Sequence, residues 1–356
     1  MGTVEPASGA RELVPAAGIR VVPDGEWDAL VAGLGGLDSY TRLAYHRVSA
    51  LLEPAGTRPV LLHHPDGEVA LPLLLRPLPD GSGWDATSAY GYGGPVAAAA
   101  RGAPSSRATA FGAALDGWAR RNGVVTTFLR LHPLLGNAPH VPPTGELVEL
   151  GATVSWDVAA GRDLVAALHP HHRRAARKAD RAGLVVAVAP GPAALAEFRA
   201  LYDTTMRRQQ ADPFFFFPDA YWDALAADRE ALGLVLVEGR LEGELVAALL
   251  CFAEGPRLHY HLGASADAAR AVGASNRCFL AAAQWAQARG MTRFHLGGGV
   301  GGSAESPLFV FKHRYDPAAA PLPFHVAKLV HDPDRYRSLA GTDSTAGFFP
   351  PWRRGR

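Results

Sequence analysis

The chain has few cysteines, and their pattern predicts neither a disulfide framework nor a metal site. Only Cys251 and Cys278 occur among 356 residues, far apart and each in an apolar context. Cysteines that build disulfide-rich domains or zinc sites occur in larger numbers and at short spacings. We therefore expect two buried thiols and no bound metal.

Long apolar runs are missing as well. The longest, Val69 to Leu75 and Leu245 to Phe252, are much shorter than the ~20 residues that cross a bilayer. The N-terminus has no basic segment followed by an apolar one, which is the pattern of a secretion signal. We expect a protein without a membrane span, located in the cytoplasm.

Neither sign of charge dominates, and the familiar hydrolase and nucleotide motifs are absent. The chain has 35 Lys and Arg residues against 34 Asp and Glu residues, so net charge does not indicate a polyanionic partner. It contains no nucleophile elbow, Walker loop, HExxH motif or acidic cluster. Hydrolysis by a covalent triad or a metal-activated water is therefore not supported.

The length and the order of predicted elements indicate two α/β domains in tandem. A chain of this length exceeds one small core, and helices, antiparallel strands, a helix and a strand follow one another in each half. Turns at residues 64–67 and 239–243 each join two apolar runs, which predicts a hairpin in each half. We predict a disordered N-terminus over residues 1–16, domains over 17–160 and 161–340, and a C-terminal tail over 341–356.

A helix predicted over residues 164–182 carries the strongest local charge. Its cations recur at helical spacing: Arg173, Arg174, Arg177, Lys178 and Arg181. Such a face can neutralise phosphates, and arginine suits bidentate contact with them. The alternative is a solvated helix face.

A short strand predicted over residues 258–263 alternates in character. His259 and His261 fall on one face, and Tyr260 lies on the other with two leucines. The unperturbed pKa of histidine suits a general base for a reacting amine. The alternative is a pair of histidines that are hydrogen-bonded within the sheet.

Other aromatic residues predict the lining of a cleft. Tyr90 and Tyr92 lie two apart in a glycine-rich segment, and one face cannot bury the whole run Phe214 to Phe217. Two arginines follow the helix ahead of that run. We assign four residues to an acceptor cleft: Tyr90, Tyr92, Arg207 and Tyr260.

The segment Arg270 to Ser275 opens a predicted helix. It is close to the arginine/glutamine-x-x-glycine-x-glycine/alanine loop by which GNAT acetyltransferases hold a pyrophosphate, with Ser275 at the position where glycine or alanine is usual. The alternative is an ordinary helix entry, capped by Ser275 or Asn276.

A glycine loop followed by a lysine lies at residues 294–312. Five glycines within six positions, 297–302, follow the apolar run 294–296, and a second apolar run, Leu308 to Phe311, leads to Lys312. We interpret both runs as strands, so that a sheet holds a loop whose backbone can approach a ligand closely. The alternatives are a simple turn and a solvated edge lysine.

Several of these motifs, in this order, resemble the FemABX-like branch of the GNAT superfamily. In the second half they are RRAARKADRAG, LYDTTMRR, WAQARGMTRFHLGGG and FVFKHRY; in the first half they are LPLLLRPL, DATSAYGYGGP and RLHPLLGN. The resemblance extends over residues 25–320. It implies two tandem GNAT-like domains, each a mixed, mostly antiparallel twisted sheet flanked by helices.

The resemblance also implies amide-bond formation, in which an amine attacks an aminoacyl ester of tRNA or an acyl thioester. Lys312, beside Phe311, matches the lysine of the family's terminal Phe-Lys motif, which implies a cation at the reacting carbonyl. His259 and His261 remain optional bases. The residues expected to contact the donor are Arg173, Arg174, Arg177, Lys178, Arg270, Gly273, Gly297, Gly298 and Phe311.

Our leading hypothesis is an aminoacyltransferase without a cofactor, which uses aminoacyl-tRNA and a small amine acceptor, for instance in the biosynthesis of a peptide-like natural product. Two alternatives stay open: an N-acyltransferase that uses acyl-CoA, and a non-catalytic protein that binds a peptidoglycan-like or tRNA ligand. The segment from Ala193 to Gly263 is too short for the coiled-coil arm of family members that build cell-wall bridges. Its absence argues against an intact cell-wall precursor as the acceptor.

Overall fold

The computed structural model describes residues 13–98 and 104–355, so most of the segment predicted to be disordered lies outside the described residues. The strands are β1 (Arg20–Val22), β2 (Arg58–His64), β3 (Val69–Pro77), β4 (Trp84–Thr87), β5 (Val96–Ala97), β6 (Val124–Arg130), β7 (Glu146–Asp157), β8 (Val185–Pro190), β9 (Leu234–Leu241), β10 (Glu244–Glu254), β11 (Arg257–Ser265), β12 (Arg293–Gly298) and β13 (Leu322–Val330). The helices are α1 (Asp24–Gly33), α2 (Leu43–Ala50), α3 (Pro104–Arg121), α4 (Leu164–Ala167), α5 (Pro170–Arg181), α6 (Ala196–Arg208), α7 (Asp219–Ala227), α8 (Asp267–Val272), α9 (Ala274–Ala288), α10 (Pro307–His313) and α11 (Pro333–Ala340).

These strands form one sheet in the order β1-β2-β3-β4-β6-β13-β7-β12-β11-β10-β9-β8, with β5 paired to β3 beside this path. Among the described residues, β4–β6 and β11–β12 are the parallel strand pairs, and the other strand pairs are antiparallel. The mixed, mostly antiparallel sheet is therefore confirmed. Both expected hairpins are present, as β2–β3 and β9–β10.

The two halves of the chain meet at β13 in the middle of the sheet. This strand, close to the C-terminus, pairs antiparallel with β6 on one side and with β7 on the other. The sequence pattern predicts neither β13 nor α11. The segment after α11 also packs on the first half, where Arg353 donates to Asp85 over 2.9 Å. The boundaries at residues 160 and 340 stay predictions.

Apolar layers cover both faces of the second half. On one face α5 and α9 bury Trp156, Phe279 and Phe294, and on the other α6 and α7 bury Phe198 and Tyr221. Burial of such side chains contributes about 1.5–3 kcal/mol each. Cys251 and Cys278 are free and buried in this half, as expected. The sheet that carries the site is therefore held rigidly from both sides.

The basic helix is shorter than predicted, because it begins at Pro170. Residues 164–167 form the separate α4, and His169, the residue before Pro170, lies outside the helical region, with ψ 141°. A proline disfavours helical geometry in the residue before it but fits the first turn of a new helix. His169 then caps α5 by accepting from the His171 amide.

The interpretation of Leu308 to Phe311 as a strand is wrong, because these residues lie in α10. Ser306 accepts a hydrogen bond from the Phe309 amide over 3.2 Å, and Pro307 occupies the first turn. A serine cap followed by proline is a helix start, and it outweighs the β propensity of the aromatic run. Lys312 therefore lies on the last turn of a short helix.

Strands β11 and β12 diverge, and this opening positions the site. Their parallel register covers only three residue pairs, from Arg257↔Arg293 to His259↔His295. Beyond that point β11 pairs with β10 up to Ser265, whereas β12 pairs with β7 through Gly298. Across the described residues, no helix has the length and apolarity that crossing a membrane requires.

Candidate active site

A cleft of about 770 Å³ lies between α5, β11 and the turn that joins α8 to α9. Its cations are Arg174, Lys178 and Arg181 of α5 and Arg270 of α8. Tyr260 and Phe311 also line it, together with Gly273. The structure thus brings six of the predicted site residues to one cleft: Arg174, Lys178, Tyr260, Arg270, Gly273 and Phe311.

The turn between α8 and α9 presents hydrogen-bond donors to this cleft. Gly273 is left-handed (φ +79°), and a Cβ there would lie 2.6 Å from the Ala175 carbonyl oxygen, so glycine lets α5 pack closely. No side chain caps α9. Nδ2 of Asn276, whose side chain lines the cleft and is only 8% exposed, has no partner among the described residues. Free donors at a helix N-terminus, beside a cation such as Arg270, suit a phosphate.

Three predicted cations lie outside the cleft. Arg173 donates to the Ala166 carbonyl over 3.2 Å, and Arg177 is exposed on the outer side of α5. Arg207, expected in the acceptor cleft, is exposed in the last turn of α6.

Lys312 reaches the opening between the diverging strands. Nζ donates to the Gly298 carbonyl of β12 over 2.7 Å and lies 5.3 Å from the centre of the Tyr260 ring of β11. The residue is 6% exposed, and burial lowers the pKa of Lys312 to about 7. The amine is therefore a buried group that loses its proton far more readily than an exposed lysine does.

Gly297 leaves space between Lys312 and the first half of the chain. Its φ is +73°, and a Cβ on it would lie 3.3 Å from Tyr92 Oη and 3.5 Å from Lys312 Nζ. The close approach of a donor to this glycine loop stays a prediction. Gly298 contributes its carbonyl oxygen, which accepts from Lys312.

The two tyrosines of the first half face the site from beside His261 and His295. The Tyr90 ring lies 5.5 Å from Phe214 and 5.7 Å from His261, and the Tyr92 ring lies 5.0 Å from His295. Tyr260, which we grouped with them, is on the opposite face of β11 in the cationic cleft. Strand alternation separates it from its neighbours His259 and His261.

His261 has no free nitrogen for base catalysis. Nδ1 lies 3.3 Å from the Tyr40 hydroxyl and Nε2 lies 2.8 Å from the Tyr221 hydroxyl. Burial lowers the pKa of His261 to about 3. This side chain ties β11 to the aromatic layer.

Asp38 is a buried carboxylate that the sequence analysis missed. His259 Nε2 lies 2.9 Å and Arg257 Nε 2.7 Å from its Oδ2, while His132 Nε2 lies 3.3 Å and the Tyr40 amide 3.1 Å from its Oδ1. Burial by itself would raise the pKa of Asp38, but the charges and hydrogen bonds of His259 and His132 outweigh it and hold that pKa well below its usual value.

Asp38, His132 and His259 together resemble a metal donor set. However, Arg257, His259 and the Tyr40 amide already lie within hydrogen-bond distance of the two oxygens of Asp38, so we assign the cluster a structural role that joins the two halves. The available sequence signal was the capping box, in which Asp38 accepts from the backbone and Thr41 returns a hydrogen bond to the Asp38 amide. That signal predicts a helix start but does not indicate which distant residues Asp38 would bind.

A family model described as "Acetyltransferase (GNAT) domain" matches residues 169–305, from the start of α5 to the glycine loop. No curated protein sequence matches the chain. The similarity to a GNAT domain therefore lies in the second half of the chain.

Solved structures share the whole fold at low identity. FemX is 13% identical with a TM-score of 0.66, over 91% of this chain and 100% of that one. The C-terminal domain of a putative lysylphosphatidylglycerol synthetase from Agrobacterium fabrum is 15% identical with a TM-score of 0.55, over 88% and 93%. A tandem GNAT protein from the clavulanic acid biosynthesis pathway is 14% identical with a TM-score of 0.52, over 88% and 99%. The expected FemABX-like, tandem GNAT fold is thus confirmed.

Proposed function

We propose that the protein is an amide-forming aminoacyltransferase, which transfers an aminoacyl group from aminoacyl-tRNA to the amine of a small acceptor. The position of Lys312 supports this proposal most directly. It is a buried amine where β11 and β12 diverge, and its Nζ lies 5.3 Å from the ring of Tyr260, which lines the cationic cleft. A cation fixed there, away from water, stabilises negative charge on a reacting carbonyl oxygen far better than it would in solvent.

The distribution of positive charge favours a long polyanion as the carrier of the acyl group. Arg174, Lys178 and Arg181 line the cleft, whereas Arg177 continues the cationic surface of α5 beyond it. A tRNA acceptor end offers phosphates to both regions, and each neutralised phosphate adds to the affinity by counterion release. The name of the Agrobacterium relative also states a lysyl product, which agrees with aminoacyl transfer.

One observation favours acyl-CoA as a second candidate donor. The uncapped start of α9, with Arg270 and the unpartnered Asn276 amide beside it, suits a pyrophosphate inside the cleft. In that case the exposed cations of α5 would contribute little to binding.

One assay separates the candidates. Purified protein is incubated with charged tRNA or acyl-CoA and a panel of amines, with and without ribonuclease, and amide products are detected by mass. We expect product from charged tRNA that ribonuclease abolishes. Product that requires acyl-CoA and survives ribonuclease would replace the tRNA proposal. If neither donor reacts while tRNA still raises the melting temperature, a binding function is supported instead.

The matched variants for this assay are Lys312→Met and Lys328→Met. Both lysines are buried, and each donates to a backbone carbonyl over 2.7 Å, but Lys328 does so to Thr345 near the C-terminus. We expect Lys312→Met to lose about 1,000-fold in kcat, the scale of one oxyanion donor. Lys328→Met should retain activity in its folded fraction. Full activity in Lys312→Met would remove this lysine from the chemistry.

A further inference from the structure

Two hydrogen-bond donors from different halves of the chain enclose the space above Gly297. Tyr92 Oη would lie 3.3 Å and Lys312 Nζ 3.5 Å from a Cβ at this position. Tyr92 comes from the loop after β4, whereas Lys312 comes from α10. Both donors therefore border the same face of Gly297.

Both donors are held in place and have hydrogens to give. The Tyr92 ring packs 5.3 Å from Tyr40 and 5.0 Å from His295. Its hydroxyl makes no hydrogen bond within residues 13–98 and 104–355. Burial raises the pKa of Tyr92 well above its ordinary value, so the phenol keeps its proton. A lysine ammonium has three N–H groups, of which the Gly298 carbonyl takes one.

We propose that Tyr92 is a catalytic residue, whose hydroxyl completes with the Lys312 ammonium a two-donor site for the oxyanion of the acyl-transfer intermediate. This inference rests on the proposed function and deepens it, because Tyr92 moves from the lining of the acceptor cleft to the reacting carbonyl. Donors that are fixed before the reaction need no reorganisation as charge develops on the oxygen.

An ester donor reacts in two stages, addition of the amine and loss of the ribose oxygen. The amine nitrogen attacks the acyl carbonyl carbon, a C–N bond forms, and the π electron pair moves to the oxygen above Gly297, where Tyr92 and Lys312 donate to it. When that pair returns, the bond from carbon to the ester oxygen breaks. The leaving ribose oxygen takes the proton that the amine releases. With a thioester donor, the sulfur leaves instead.

The requirement for glycine at position 297 follows from the same geometry. A side chain there would be strained by the positive φ, and its Cβ would project between the two donors and crowd a ligand oxygen bound to them. Gly297→Ala therefore tests the site without removing either donor.

Tyr92→Phe and Gly297→Ala are the decisive variants. Tyr92→Phe removes one hydroxyl and keeps the ring contacts, and we expect kcat to fall about 100-fold, with KM for either substrate within about twofold. Gly297→Ala should lower kcat at least as much. A merely structural tyrosine would change the free energy of unfolding or KM instead, so wild-type kcat in Tyr92→Phe would overturn the proposal.

Two matched control variants separate these effects on kcat from a general loss of stability. Tyr336→Phe removes a hydroxyl that donates to Ser344 near the C-terminus. Gly290→Ala imposes the same left-handed strain (φ +74°) where a Cβ meets no atom within 4 Å. Both should keep kcat within about twofold of the wild type, because neither position touches the site.

A binding experiment tests the oxyanion site even if neither donor reacts, in which case the proposed function fails separately. Acetate is titrated into protein labelled with ¹⁵N-lysine, and the Nζ signal that disappears in Lys312→Met reports binding. A carboxylate oxygen above Gly297 accepts from both donors, so Tyr92→Phe should bind acetate about fivefold more weakly, which corresponds to one hydrogen bond of about 1 kcal/mol. Equal affinity would overturn the inference.

Discussion

Replacement of Lys312 by methionine should stabilise the folded protein, by an amount that depends on pH. Burial lowers the pKa of Lys312 to about 7, whereas a lysine in an unfolded chain titrates near 10.4. Between these values the unfolded chain binds a proton that the folded chain does not. The free energy of unfolding of the wild type therefore rises with pH by up to about 1.4 kcal/mol per pH unit, and methionine removes this slope.

The magnitude follows from that slope. From pH 9.0 down to pH 7.5, the stability of Lys312→Met relative to the wild type should increase by about 2 kcal/mol. Loss of the hydrogen bond to Gly298 costs about 1 kcal/mol, and this cost changes little with pH. This cost shifts the stability difference between Lys312→Met and the wild type by a constant amount and leaves the pH dependence of that difference unchanged.

Urea denaturation of both proteins at pH 7.5, 8.25 and 9.0 measures this difference. Lys328→Met is the matched control: Glu146 lies 3.7 Å from Lys328 Nζ, so we expect this variant to be less stable than the wild type. If the difference between Lys312→Met and the wild type stays constant across the three pH values, Lys312 does not titrate near neutrality. The electrostatic reasoning about the site would then be wrong.

Three further variants test the framework of the site. Asp38→Asn removes the carboxylate that holds Arg257 and two histidines. Urea denaturation should show that the free energy of unfolding falls by about 3–5 kcal/mol, whereas Asp343→Asn at an exposed ion pair should change it little. In a filter-binding assay, Arg174→Gln should weaken tRNA binding and reduce the slope of log K against log salt concentration by about one. Arg337→Gln, on α11, should change neither the affinity nor the slope. Ser306→Ala removes the cap of the helix that carries Lys312 and should cost about 1 kcal/mol of unfolding free energy; no loss would show that the cap contributes nothing.

The sequence predicts the local elements better than the way they assemble. The turns at residues 64–67 and 239–243 sit between apolar runs, and both produce the expected hairpins. The prediction of a strand at Leu308 to Phe311 fails because the β propensity of the aromatic residues competes with a helix start at Ser306 and Pro307. In a segment this short, the helix cap determines the structure. β13 is missed although its residues are apolar, since its partners lie about 170–200 residues earlier in the chain.

For the site as well, the sequence predicts local features better than the contacts between distant parts of the chain. Arg174 and Lys178 are recognisable because clustered charge is visible in the sequence, and Arg270 is recognisable from its loop motif; the structure brings all three to one cleft. Strand alternation correctly separates Tyr260 from His259, yet it cannot tell that Nε2 of His259 lies 2.9 Å from Asp38. Such pairings between the halves depend on tertiary contacts that no local spacing encodes.

The position of β13 also determines the order in which the molecule can be completed during synthesis. A nascent chain that has emerged as far as residue 321 holds all the described strands except β13, which lies between β6 and β7, so β6 and β7 both present unpaired edges. Exposed edges of this kind recruit other chains and favour aggregation. The segment that closes the sheet thus leaves the ribosome after both of its partner strands, and a chain truncated before Leu322 should be recovered as aggregate.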